Sequence, residues 1–246
     1  MKKFLALFAV LAFLVGCGSD EKSASAEQVI KLGLSADYPP FEFVDKDNKI
    51  TGFDVELINE ISKRVGFKVE LANISFDGLI PALKAGKIDA IMSAMSATED
   101  RKKSVDFTDS YYATENLFIR KKGSDISDKN LAGKNIGAQL GTVQEMAAGE
   151  IEGAKVSPYD SPLTAIMALK SGKIDYVIVD SSIGYGFLKQ NDDIEEFLKL
   201  PDGSEGFSIA FDKDKKTDLI AKINDAIKAI KADGTFEKIA KKYDLQ

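Results

Sequence analysis

The chain has no histidine, no tryptophan and a single cysteine in 246 residues. Without histidine there is no imidazole acid–base pair, no Ser-His-Asp or Cys-His nucleophile, and little basis for a zinc site. One cysteine, Cys17, leaves neither a disulfide nor a thiolate cluster. No cofactor and no metal are expected. Catalysis by carboxylates or lysines stays open, so composition disfavours an enzyme without excluding one. Long apolar runs are missing as well. Phe4 to Val15 is uncharged and apolar, but its 12 residues fall short of the roughly 20 that a spanning helix needs. No transmembrane segment is expected after it.

That short run has the flanks of an export signal. Lys2 and Lys3 precede it, and Leu14-Val15-Gly16-Cys17 closes it. The closing residues look like a bacterial lipobox, in which the cysteine is lipidated and becomes the first mature residue. The competing reading is an ordinary small-residue cleavage site with a cysteine there by chance. The expected layout is a signal peptide at 1–16, then a lipidated Cys17 and a flexible polar tether over 17–27. The protein would be exported and lipid-anchored to a membrane, facing the periplasm or the cell exterior. The full chain carries a net charge of −6, and cleavage would remove two lysines and no acid. Such a surface argues against nucleic acid or direct adhesion to anionic lipid.

An internal echo suggests two lobes. Ala82-Leu83-Lys84-Ala85-Gly86-Lys87-Ile88-Asp89 returns as Ala168-Leu169-Lys170-Ser171-Gly172-Lys173-Ile174-Asp175. Each copy reads as a helix ended by glycine and followed by a short apolar strand, Ile88–Ser93 and Ile174–Val179. The first helix is expected from Asp77, with Leu79, Ile80 and Leu83 inward. The second has Ser161 as N-cap and Pro162 in the first helical position. The remaining pattern gives a strand at Val29–Leu34 and an amphipathic helix at Phe53–Val65 ended by Gly66. Val69–Leu71 is another strand, and Gly133–Ala138 opens the second lobe. A late helix carries Ile220, Ile223, Ile227 and Ile230, and Thr235 is expected to cap a last one. In open parallel sheets ligands bind beyond the carboxyl ends of strands. Ser93–Ser96 and Asp180–Ser182 should therefore face one cleft.

Several stretches together resemble one family: Ser35-Ala36-Asp37-Tyr38-Pro39-Pro40-Phe41-Glu42-Phe43, Gly52-Phe53-Asp54-Val55, Phe76-Asp77-Gly78-Leu79-Ile80-Pro81, Met95-Ser96-Ala97-Thr98-Glu99-Asp100-Arg101, Phe107-Thr108-Asp109-Ser110-Tyr111-Tyr112, Gly141-Thr142-Val143-Gln144-Glu145 and Asp233-Gly234-Thr235. In this order, across residues 28–246, they are similar to the polar amino-acid-binding proteins of ABC transporters, solute-binding family 3. The look is closest to arginine and other basic amino-acid binders. The resemblance implies an α/β two-lobe periplasmic-binding-protein fold of type II, with two parallel-rich sheets flanked by helices. Lobe one would be 28–117 plus 210–246 and lobe two 120–206. Crossing strands would lie at Leu117–Lys121 and Phe207–Phe211. It implies a monomeric receptor that closes on a free L-amino acid and delivers it to ABC permease subunits. Arginine ranks first, then lysine or ornithine, then glutamine. A cyclohexadienyl-dehydratase-like enzyme on the same fold is the alternative, and a sensor or adhesin without a transporter is a third.

Site residues follow from residue chemistry and the resemblance together. Arg101 can bind a carboxylate with two parallel hydrogen bonds. It follows Ser96 and Glu99, which fit a capping box, so nearby backbone N–H groups should also favour an anion. On spacing alone, a surface arginine on a charged helix is the commoner reading; the family's carboxylate-binding arginine falls on Arg101. Asp180 at a strand end is often only a turn or cap residue, and here it matches the family's ammonium-binding aspartate. Ser96 and the Ala94 carbonyl would complete that pocket, and the Val143 N–H would add a carboxylate contact. Tyr38 and Phe76 match the family's aromatic walls, and Gln139 could meet the ligand's distal group. Ser35 departs from the pattern, because some basic-amino-acid binders carry a carboxylate there. Asp37 shares its face along a strand and could partly substitute.

Overall fold

The computed structural model describes residues 28–245. The expected signal peptide, Cys17 and the expected tether lie outside the described residues, as does Gln246. In chain order the first part contains β1 (Val29–Leu34), β2 (Asp37–Tyr38), β3 (Glu42–Val44), β4 (Ile50–Thr51), α1 (Phe53–Val65), β5 (Lys68–Asn73), α2 (Leu79–Lys84), β6 (Ala90–Ile91), α3 (Glu99–Lys102) and β7 (Val105–Phe107). Then come β8 (Glu115–Lys121), β9 (Asn135–Gln139), α4 (Val143–Gly149), β10 (Lys155–Tyr159), α5 (Pro162–Lys170), β11 (Tyr176–Asp180), α6 (Ser181–Gln190) and β12 (Ile194–Pro201). The chain closes with β13 (Ala210–Asp212), α7 (Thr217–Ala232) and α8 (Thr235–Lys242).

Two five-stranded sheets result, in the orders β5-β1-β6-β13-β7 and β10-β9-β11-β8-β12. Each has three parallel strands, then two antiparallel to their neighbours. The two lobes therefore share one topology. A third, three-stranded sheet, β2-β3-β4, sits beside the first. The strand β8 leaves the first lobe and pairs inside the second sheet, and β13 returns and pairs inside the first. Each crossing strand thus becomes the first antiparallel strand of the sheet it enters, which ties the two lobes together.

The echoed octets do equivalent work. Gly86 and Gly172 both hold positive φ, 67° and 75°, a conformation open to glycine at little cost. Lys87 and Lys173 N–H then reach back to the carbonyls of Ala82 and Ala168 at 2.9 and 3.0 Å. The closing aspartates also match. Asp89 accepts from Lys31 N–H at 2.9 Å and Asp175 from Asn135 N–H at 2.7 Å, so each clamps the first parallel strand of its own sheet. Ile88 and Ile174 fill the space over Gly33 and Gly137, where any Cβ would lie 2.4 Å from the isoleucine Cδ1.

The core of the first lobe gathers Ile30, Leu32, Phe41, Phe53, Leu57, Ile61, Ile223, Ile227 and Ile230. Ile183 and Phe187 of α6 pack against the same cluster, so this helix of the second lobe also contacts the first. Among the described residues no helix is long and apolar enough to cross a membrane.

Some local expectations shift. The segment from Phe76 to Gly78 is a single 3-10 turn, and the α-helix begins only at Leu79. The first echoed strand is shorter than its run of apolar residues, with only Ala90 and Ile91 paired in the sheet. The last helix is capped by Gly234 in the left-handed region; Thr235 is its first helical residue, and its N–H is taken by Asp233 at 3.0 Å. The N-cap of α3 is Thr98, whose hydroxyl accepts from Arg101 N–H at 3.2 Å. Ser96 is instead bridged in extended form to Phe207, which takes it out of the capping position.

Candidate functional site

The cleft lies between the carboxyl ends of the parallel strands of both sheets. Tyr38, Phe76, Ala94, Ser96, Arg101, Gln139, Val143 and Asp180 all line it. Ser35 is not part of this lining. Its hydroxyl donates to Asp37 at 3.0 Å and its N–H to Ser93 at 2.9 Å.

Arg101 is 8% exposed. The four-residue α3 places it there, after the chain has left β6 and turned at Ala94. Its guanidinium donates to Ser96 O at 2.8 Å and to Gly141 O at 2.9 Å. The first carbonyl belongs to its own lobe and the second to the other. Phe76 stacks beneath it, with the ring centroid 5.5 Å from Cζ, a contact of a cation with the negative face of the ring. Burial lowers the guanidinium to about 10, against the charges of Asp202 and Asp100. It therefore stays cationic at neutral pH.

Gly141 holds the matching turn of the second lobe at φ 78°. A Cβ there would come within 3.0 Å of Asp77 Cα, so glycine is required both by conformation and by the approach of the first lobe. Thr142 caps α4, accepting from Glu145 N–H at 3.2 Å. Val143 opens that helix, where N–H groups have no partner within the helix.

Asp180 ends β11 and is 2% exposed. Its Oδ1 accepts from Ser182 N–H at 2.8 Å and from the Ser182 hydroxyl, and its Oδ2 accepts from the Thr114 hydroxyl. It is thus the N-cap of α6 and a cleft residue at once; the two readings left open by the sequence are compatible. Burial pushes its carboxyl up to about 6, opposed by these donors. Gln139 donates from Nε2 to Asp160 O at 3.2 Å, while its buried Oε1 has no donor among the described residues.

Sequence reasoning missed several participants. Thr142, Gln144 and Phe207 also line the cleft, and Asp202 accepts from the Ser96 hydroxyl at 3.1 Å. Thr142 and Gln144 stood in a quoted motif but were not singled out. Thr114 and Asp202 carried no local signal, since the crossing segments bring them in from 66 and 106 residues away.

Opposed charges in a cleft between two topologically matched lobes are the arrangement of a two-lobed binding protein. The family is shown directly by comparison: residues 30–246 match the family described as bacterial extracellular solute-binding proteins, family 3, and the chain belongs to it. It is 46% identical to the probable histidine-binding protein of Campylobacter jejuni, over the whole of both chains. It is 38% identical to the arginine-binding extracellular protein ArtP of Bacillus subtilis, over 99% of this chain and 98% of the relative. Among solved structures, an ancestral arginine-binding protein bound to arginine matches with a TM-score of 0.82 and 38% identity, covering 88% of this chain and 98% of the other. The fold is the type II periplasmic-binding-protein fold, and the chain is an extracytoplasmic solute-binding receptor rather than an enzyme.

Proposed function

We propose that the cleft captures a free L-amino acid, arginine first, and that the receptor hands it to the permease of an ABC importer. The observation that carries this reading is the pair of buried, opposite charges, Arg101 and Asp180, held by different lobes on one cleft. A zwitterion satisfies both: its carboxylate meets Arg101, with Val143 N–H beside it, and its ammonium meets Asp180, Ser96 and the Ala94 carbonyl. Because each lobe supplies one charge, the ligand favours the closed arrangement, and the open–closed equilibrium shifts with occupancy.

The side-chain end supports a basic ligand. Tyr38 and Phe76 offer aromatic faces, and Gln139 Oε1 is an acceptor awaiting an N–H donor. Asp37, which holds the Ser35 hydroxyl at 3.0 Å, does not line this cleft and faces a neighbouring surface pocket instead. Lysine or ornithine follow arginine, then glutamine. Histidine is a second reading, favoured by the naming of the Campylobacter relative, and it too brings an N–H donor. Lobe one at 28–117 plus 210–246, lobe two at 120–206, a lipid anchor on Cys17 and a monomeric state complete the proposal.

Thermal melting with a panel of twenty amino acids tests it. A ligand at a hundred times its Kd stabilises by about 2.7 kcal/mol, and the largest shift is expected with L-arginine. Absence of a shift with every amino acid contradicts the reading; a larger shift with L-histidine keeps the class and changes the side chain.

A further inference from the structure

Two acids beneath the cleft are not used by the binding site described above. Glu42 on β3 and Asp54 in the first turn of α1 are 0% and 1% exposed, and neither lines the cleft. One oxygen of each is occupied. Ser93 Oγ donates to Glu42 Oε1 at 2.7 Å, while Ala94 N–H and the Tyr111 hydroxyl donate to Asp54 Oδ2 at 2.9 and 2.8 Å. The other two oxygens, Glu42 Oε2 and Asp54 Oδ1, receive no donor from the rest of the described protein, and the two carboxyls are brought together on one turn, Glu42 held by Ser93 and Asp54 by the next residue, Ala94. A proton carried by one acid is the donor that satisfies the other. The titratable groups facing the pair are Asp37 and Tyr38 from β2 and Tyr111 from the segment before β8. No lysine or arginine is among the groups acting on either carboxyl, so two ionised carboxylates there would be an uncompensated buried charge pair.

The pair holds the wall of the cleft. Ala94 has φ 41°, a left-handed conformation that costs a residue with a Cβ and persists only where its surroundings enforce it. Its N–H is held by Asp54. The preceding Ser93 links Glu42 to Ser35 N–H, and Ala94 and Ser96 face the cleft.

We propose that Glu42 and Asp54 share a single proton, and that this pair is the positioning device that fixes the turn at Ala94 and so presents the lobe-one wall to the ligand's ammonium group. The second half of this rests on the cleft reading given under the proposed function. Glu42 is the better carrier of that proton, because Asp54 accepts from two donors and Glu42 from one. Burial raises both carboxyls, the neighbouring Asp54 charge raises Glu42 further, and the donors on Asp54 hold it lower. A carboxyl raised on folding contributes stability that is present below the ordinary carboxylate range and lost as pH climbs through its folded value. Rising pH should therefore loosen the Ala94 turn.

The test uses the intact mature protein and its Glu42→Gln variant, whose amide can donate to Asp54 and accept from Ser93 as the protonated acid does. Carbon-13 NMR of the ligand-free wild type should show the Glu42 carboxyl titrating above the ordinary carboxylate range, with the Ala94 amide resonance moving at the same midpoint. The wild type should lose melting temperature relative to Glu42→Gln as pH rises, and its affinity for L-arginine should fall relative to the variant over the same window. A Glu42 midpoint in the ordinary carboxylate range overturns the proposal, as does an Ala94 amide insensitive to that titration or a flat difference between the two proteins. If Glu42→Gln does not fold, the carbon-13 and amide titrations of the wild type decide alone. If L-arginine binds neither protein at any pH, the arginine reading fails, while the ligand-free titrations still decide whether the proton is shared and whether it holds the turn.

Discussion

Arg101 and Asp180 bring opposite charges to one cleft and are housed in opposite ways. Asp180 is met on both oxygens by donors, Ser182 and Thr114, so its charge is solvated by dipoles near its own strand end. Among the described residues, Arg101 is met by backbone carbonyls and an aromatic face, and one of those carbonyls, Gly141 O, belongs to the opposite lobe. Carbonyls carry partial charge, so the guanidinium remains a cation without a counter-anion in direct contact among the described residues. A buried charge without its partner is expensive. The lesson is that the anion is already met by dipoles from Ser182 and from Thr114 on the crossing segment, whereas the cation of the first lobe is fully satisfied only when the lobes meet and an anion arrives.

The largest expected effect comes from breaking the less satisfied side. Arg101→Ala should remove about 2–5 kcal/mol of binding free energy, the range for losing one member of a buried, hydrogen-bonded charge pair. Calorimetric titration with L-arginine measures it, with melting as the control for folding; retained affinity would place the carboxylate elsewhere. Asp180→Asn should cost less, about 1.5–3 kcal/mol, because Thr114 and Ser182 still surround an amide oxygen. Here pH sharpens the comparison. Asp180 sits near 6 in the free protein, and an ammonium ligand favours its ionised form. Affinity should be level above that value and fall as pH drops below it, by up to about tenfold per unit. Asp180→Asn should bind weakly without this acid-side step. A wild-type affinity unchanged between pH 7 and 4.5 would remove Asp180 from the ammonium site.

Much of the architecture was legible because its signals are local. Val29–Leu34 and Phe53–Val65 fall where the pattern put them, since apolar periodicity and a glycine stop at Gly66 sit within the segment itself. The Ser161–Pro162 start of α5 is similarly self-contained, with Thr164 completing the box. The repeated octet announced two lobes because both copies solve the same turn, down to the aspartate clamps of Asp89 and Asp175. What failed depended on distant chain. Ser96 and Thr98 both precede α3 with suitable side chains, and only the bridge to Phe207, 111 residues on, decides between them. The run after Ile88 looks like a full strand, but the sheet keeps only Ala90 and Ile91 before the chain turns off at Ala94 to build the cleft. In the site, eight of the residues lining the cleft are named by type and family pattern, whereas Thr114 and Asp202 arrive through the crossing segments. The Glu42–Asp54 contact has no period or spacing that would announce it.

The central claim is that the two lobes grip the amino-acid backbone, the carboxylate on Arg101 and the ammonium on Asp180. Its most direct measurement is calorimetric titration of the protein with L-arginine and, in parallel, with agmatine, which keeps the guanidinium and loses the carboxylate. L-arginine should bind and agmatine should be weaker by about 2–5 kcal/mol. Agmatine binding as tightly as L-arginine would contradict the clamp.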